Sequence, residues 1–161
     1  MKKYLFVIFL FCLRLNANAQ SISFYDLTNL TNLSDGEAHT YLVLGRVFKH
    51  QYIEEKDGKK IEHFRSINSK VSEQTITIGV NTVLSSGVIL RSVTYTTRNP
   101  QHVLNLIAQA KSGRLTMKFQ GSDVDNNIYV FDNDFYHVKM YISTTENKGT
   151  VVIEQKDFIG Y

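Results

Sequence analysis

Asp123, Asp125 and Asn127 alternate at the spacing with which a loop wraps oxygen ligands around a hard cation. Such a loop turns sharply on a glycine at its sixth position, and Ile128 stands there. It closes on a bidentate glutamate at its twelfth, and Asp134 stands there instead. Residues 128–131 alternate like a strand, so the stretch reads as two polar turns around it. In such turns Asp and Asn side chains bond their own backbone. The histidines (His39, His50, His63, His102 and His137) contain no H-x-H or H-x-x-x-H pair. Three could converge in space, but no local spacing says so, and no metal or cofactor is expected. Nucleophilic catalysis finds no G-x-S-x-G; Ser85-Ser86-Gly87 and Ser112-Gly113 fall at expected turns or helix ends. Glu54, Glu55, Asp57 and Glu62 gather around an expected hairpin tip, where solvation accounts for them. Glycosidase chemistry would need paired carboxylates about 5–10 Å apart across a cleft. No phosphate-cradling or dinucleotide motif is present. The residues therefore point away from an enzyme.

The elements that carry these residues follow from periodicity. Phe24, Leu27, Leu30 and Leu33 recur at helical spacing. Ser34 and Glu37 form a capping box for a second helix, with Ala38, Tyr41, Leu42, Gly45 and Phe48 on one face. Asp57-Gly58 is a two-residue hairpin signal. "TITIGV" and "GVILRSVTYTTR" read as strands. Asn99-Pro100 opens a helix whose stripe is Val103, Leu104, Ile107 and Ala108, and Gly113 ends it. Four strand candidates follow. A three-residue loop at Asp132-Asn133-Asp134 would set Phe131 opposite Phe135, Val130 opposite Tyr136 and Ile128 opposite Val138. A later turn would pair Ile142 with Val151, Met140 with Ile153 and Lys139 with Glu154. The expected fold is α+β: an N-terminal helical pair, an antiparallel sheet, and a C-terminal meander packed by one amphipathic helix.

That register leaves one candidate surface. Lys118, Tyr129, Phe131, Phe135, His137, Lys139 and Tyr141 would share the second face of the meander. Aromatics mixed with cations suit recognition, because Tyr offers a large contact area with a polar tip. Whether the N-terminal helices or the 50–98 strands cover that face decides whether it can act.

The chain has 161 residues and opens "MKKYLFVIFLFCLRLNANAQ". Lys2 and Lys3 precede an apolar run of about ten residues, too short to cross a bilayer. Ala17-Asn18-Ala19 then supplies a cleavage signal, so residues 1–19 read as a secretory signal peptide. Cleavage would leave residues 20–161 as one α+β domain. Lipidation at Cys12 would need a small residue before it, and Phe11 stands there. Removing Lys2, Lys3 and Arg14 from the 18 basic residues leaves 15, equal to the 15 acids. A neutral mature chain gives no reason to expect nucleic-acid or anionic-membrane binding. Cys12 is the sole cysteine, so the mature chain would hold no disulfide or thiol.

The order of elements resembles small exported α+β domains of Gram-negative bacteria in which a helix-loop-helix precedes an antiparallel sheet. The β-lactamase inhibitor proteins and the SmpA-type lipoproteins of outer-membrane assembly are examples. Leu27, Leu30, Ser34, Tyr41, Leu42, Gly45 and Phe48 carry the likeness, over about thirty residues and as a packing pattern. It transfers no functional residue; the binding role is expected from the signal peptide, the missing catalytic motifs and the aromatic face. The expected function is that of an exported, periplasmic binding protein. Its partner would be another protein or an envelope component, with no transmembrane segment in the mature chain. Two alternatives are an inhibitor or immunity protein that plugs one enzyme with the 121–134 loop, and a small hydrolase or ligand carrier.

Overall fold

The computed structural model describes residues 22–67 and 73–158. The expected signal peptide lies outside the described residues. Among the described residues the chain is α+β, with three helices and an eight-stranded antiparallel sheet. Helix α1 (Phe24–Asn32) is followed by α2 (Asp35–Leu44), then strands β1 (Phe48–Lys56), β2 (Lys59–Ser66), β3 (Gln74–Val83) and β4 (Ile89–Thr97). Helix α3 (Pro100–Ser112) leads to β5 (Thr116–Ser122), β6 (Asn126–Asp132), β7 (Tyr136–Ser143) and β8 (Gly149–Gln155). The sheet runs β1-β2-β3-β4-β8-β7-β6-β5, so each hairpin half meets the other where β8 pairs with β4.

Local chemistry explains where the helices start. The Ser23 hydroxyl accepts the Asp26 amide (3.1 Å), and the Asp26 carboxylate accepts the Ser23 amide (2.8 Å). At α2 the Glu37 carboxylate accepts both the amide (2.9 Å) and the hydroxyl (2.7 Å) of Ser34. Helix α2 stops at Leu44, and the chain reverses through Arg46 at φ 53°. Phe48 therefore opens β1 instead of extending the helical face. Asn99 caps α3 by accepting the Gln101 amide (3.1 Å), with Pro100 in the first turn. The buried stripe of α3 is His102, Val103, Leu106, Ile107 and Ala110; Leu104 and Ala108 face solvent. The Asp57-Gly58 turn has φ 54° and 70°, the paired positive values of a type I′ hairpin.

All three helices cover one face of the sheet. Helix α1 lies on β4 and β8, α2 on β1, and α3 on β7 and β8. Beneath them run Phe64, Ile76, Ile78, Val93, Tyr95, Val151, Ile153, Val138, Met140 and Phe131, all buried. Gly149 lets α3 approach closely, since a Cβ there would overlap the Val103 side chain.

The register of the β6–β7 hairpin differs from expectation by three residues. Ile128 faces Tyr141, Tyr129 faces Met140, and Phe131 faces Val138. The loop is longer than three residues, because Asp132 pairs with His137. Asn133 Oδ1 holds it by accepting the amides of Phe135 (3.0 Å) and Tyr136 (2.7 Å). An odd shift exchanges the faces. Tyr129 and Phe131 thus turn toward the helices, while Ile128 and Val130 turn away. The β7–β8 register shifts by two, pairing Met140 with Val151 and Val138 with Ile153, which keeps each residue on its expected face. Lys139 Nζ still reaches Glu154 at 3.6 Å, as a diagonal pair.

Candidate functional site

The sheet face away from the helices is composed of three cross-strand rows. Its central row runs Tyr52, His63, Thr77, Thr94, Val152, Lys139, Val130 and Phe119. Beside it lie Thr75, Thr96, Thr150, Tyr141 and Ile128 on one flank, and Ser92, Glu154, His137 and Asp132 on the other. Strands about 4.8 Å apart make this surface roughly 34 Å wide. Its middle, over β3 and β4, is threonine and serine without charge. The Lys139–Glu154 ion pair (3.6 Å) lies next to that middle, on β7 and β8, and further paired charges sit toward the ends. Tyr52 stacks on His63 at 4.3 Å, and His63 Nε2 lies 3.2 Å from Glu54 Oε2. At the other end His137 Nδ1 lies 3.1 Å from Asp132 Oδ2, and Lys156 Nζ 3.1 Å from Asp132 Oδ1. Partial burial raises the Asp132 carboxyl, but His137 and Lys156 outweigh it and hold the group below its usual range.

The seven residues read from the sequence as one face do not share it. His137, Lys139 and Tyr141 do lie on the helix-free side. Phe131 is fully buried under the helices, and Tyr129 packs against the same core. Phe135 sits in the hairpin tip, stacked on Phe158 at 5.0 Å. Lys118 occupies the β5 irregularity between Met117 and Phe119 and is exposed. The acidic stretch behaves as turns: Asp123 Oδ1 accepts the amides of Asp125 (2.9 Å) and Asn126 (2.6 Å).

A second constellation lies on the helix-covered side, at the β1 end. Glu62 is not at a solvated hairpin tip; it is 7% exposed, on the same side of β2 as Phe64. His39 comes from α2 and His50 from β1. One ligating atom from each of His39, His50 and Glu62 lies within 4.8 Å of the other two. His39 Nδ1 is 3.5 Å from Glu62 Oε2, while Lys60 Nζ holds Glu62 Oε1 at 2.7 Å. That bond keeps the Lys60 ammonium above its ordinary value. Phe64 floors the group, with ring centres 5.7 Å from His39 and 5.4 Å from His50. Arg91 and Lys60 both reach Asp35 at the start of α2. Two i, i+2 pairs, Phe48 with His50 and Glu62 with Phe64, signal in the sequence that a histidine and an acid follow core residues inward. The meeting with His39 depends on how α2 docks and has no local signal.

A third polar group is wholly internal. The Tyr95 hydroxyl donates to Gln74 Oε1 (2.8 Å), and Tyr95 Oη and Thr97 Oγ1 each lie 3.2 Å from His102 Nδ1. Desolvation pushes the Tyr95 phenol up and the His102 imidazolium down. Four grooves among the described residues are shallow and open to solvent; one, of about 520 Å³, runs along Ile22, Tyr41, Leu44 and Val47. No described helix is long and apolar enough to cross a membrane. No family model, curated protein or solved structure matches the chain.

Proposed function

We propose that the chain is an exported, periplasmic, non-enzymatic binding protein that receives another protein on the helix-free face of its sheet. One observation carries this reading: every described helix packs on the same side, so the opposite face of eight strands has no cover from the described chain. Interface centres are depleted in charge and carry a polar rim. This face comes near that pattern, with Thr75, Thr77, Thr94, Thr96 and Thr150 centrally, one mutually neutralising Lys139–Glu154 pair beside them, and the Glu54, Asp132, His137 and Lys156 groups outside. Its width and shallow grooves suit a protein-sized partner better than a small ligand. The N-terminal helical pair and α3 are the scaffold that backs the face, in the manner of the small exported domains the order of elements resembles. Export rests on the sequence of residues 1–19. N-terminal sequencing of the periplasmic fraction should start at Gln20; an uncleaved chain in the cytoplasm would overturn the location.

Thr94→Arg combined with Val152→Asp places charge in the middle of the face without touching the core. The pair should abolish partner capture from an envelope extract and leave the melting temperature within about 2–4 °C, as surface substitutions do. Undiminished capture would sink the assignment of this face.

A second reading has a specific observation behind it. The β5–β6 turn is an edge hairpin, and Val124 at its tip is 90% exposed. An inhibitor or immunity protein would insert such a tip into one enzyme. Val124→Asp would then abolish protection while Thr94→Arg would not.

A further inference from the structure

We infer that His39, His50 and Glu62 form a binding site for a divalent transition-metal ion, zinc being the best match, that fastens α2 to the β1–β2 edge. The donor set is two imidazoles and one carboxylate, without thiolate. This suits a borderline cation such as Zn2+ over Mg2+ or Ca2+, which take oxygen ligands.

Three observations converge. First, the atoms are close enough: one donor from each residue lies within 4.8 Å of the others. Tetrahedral zinc with bonds near 2.0–2.1 Å holds its ligands about 3.4 Å apart. The 3.5 Å from His39 Nδ1 to Glu62 Oε2 already meets that spacing. Second, His50 Nε2 is sealed from solvent, and no described group hydrogen-bonds it. A buried ring nitrogen left without a partner is costly, and a metal bond to it would remove the cost. Third, the remaining carboxylate oxygen has a fixed neighbour. Lys60 Nζ holds Glu62 Oε1 at 2.7 Å and leaves Oε2 turned toward His39. Ligating carboxylates are commonly oriented by such a bond. Lys60 is itself drawn toward Asp35, whose carboxylate also takes Arg91, so its positive charge is balanced locally.

The ligands come from three elements: α2, β1 and β2. The ion would therefore clamp the second helix onto the edge of the sheet. His39 keeps 43% of its side chain exposed, which leaves an entry path and a fourth position for water. This site lies on the helix-covered side and does not depend on the proposed partner face.

The test uses the full chain carrying no histidine tag, dialysed against chelator and titrated calorimetrically with ZnCl2. Saturable binding at one equivalent is expected, with a rise in melting temperature because the ion binds the folded state. Equimolar MgCl2 should give no rise. His39→Ala and His50→Ala should each weaken zinc binding at least about tenfold, since even loss of a group that only orients a ligand costs 10–100-fold. His63→Ala, on the other face, should leave it unchanged. Should His50→Ala fail to fold, His39→Ala decides alone, its side chain being partly exposed. Zinc binding with no one-to-one saturation, or equal in His39→Ala and wild type, would overturn the site.

Discussion

His102 shows what one side chain can impose on the whole protein. It is 5% exposed on α3, and among the described residues Tyr95, reached from β4, is the titratable group bonded to it. Burial disfavours its imidazolium, so it titrates below 6.5 in the fold and near 6.5 in the unfolded chain. Between those values the unfolded chain holds more protons. The contribution to stability is full above about pH 6.5 and declines as pH falls through the window beneath it. Urea midpoints measured from pH 7.5 to 5.5 should drop for wild type and drop less for His102→Gln; parallel curves would refute the assignment. Phe131 makes the complementary point. Its ring is fully buried against the helices, and Phe131→Ala should cost about 3–5 kcal/mol in denaturant melts. Phe135→Ala removes a half-exposed ring stacked on Phe158 and should cost about 1 kcal/mol or less. Equal losses would mean the two rings were wrongly placed. Residue chemistry with a local cause was legible in advance. Asp123 and Asn133 take the amides two and three residues on, as turn-forming side chains do. The spacing of Glu62 from Phe64 could place the acid inward, but its partner was not legible, because His39 is supplied by a helix twenty-three residues earlier.

Elements were read well where their ends carry chemistry and badly where only a loop length decides. Asn99-Pro100 and Gly113 bound α3, and Asp57-Gly58 closes the β1–β2 hairpin. Asn99→Ala should cost about 1 kcal/mol through loss of the Gln101 amide bond. The β6–β7 register was legible only to within its loop, and a three-residue error moved Tyr129 and Phe131 across the sheet. Consistent alternation could not reveal this, because β6 has bulky apolar residues on both sides: Ile128 and Val130 outward, Tyr129 and Phe131 inward. Helix α2 was read too long for a related reason, since Phe48 fits a helical spacing and also starts a strand. Gly149 marks the tightest contact between layers. Gly149→Val would drive α3 away from β8 at Val103 and should destabilise the fold by about 1–3 kcal/mol. Retained stability would show that the layers are not packed this closely.

At the scale of the whole molecule, the proposed function rests on asymmetry between the two sides of one sheet. The α+β class and the antiparallel strands follow from the order of periodic segments. The joining of β4 to β8 does not, because those strands are more than fifty residues apart and no turn chemistry links them. That pairing turns two hairpin sets into one continuous surface. It leaves Thr94 and Val152 at the middle of a helix-free face, with Tyr52 and Phe119 at its ends. The central claim is that a partner sits there. Photo-crosslinking in intact cells tests it directly, with a photoreactive residue placed either at Thr94 or at Asn105 on the exposed side of α3. One discrete adduct from Thr94 and none from Asn105 is the expected result. Adducts from Asn105 alone, or from both positions equally, would contradict it.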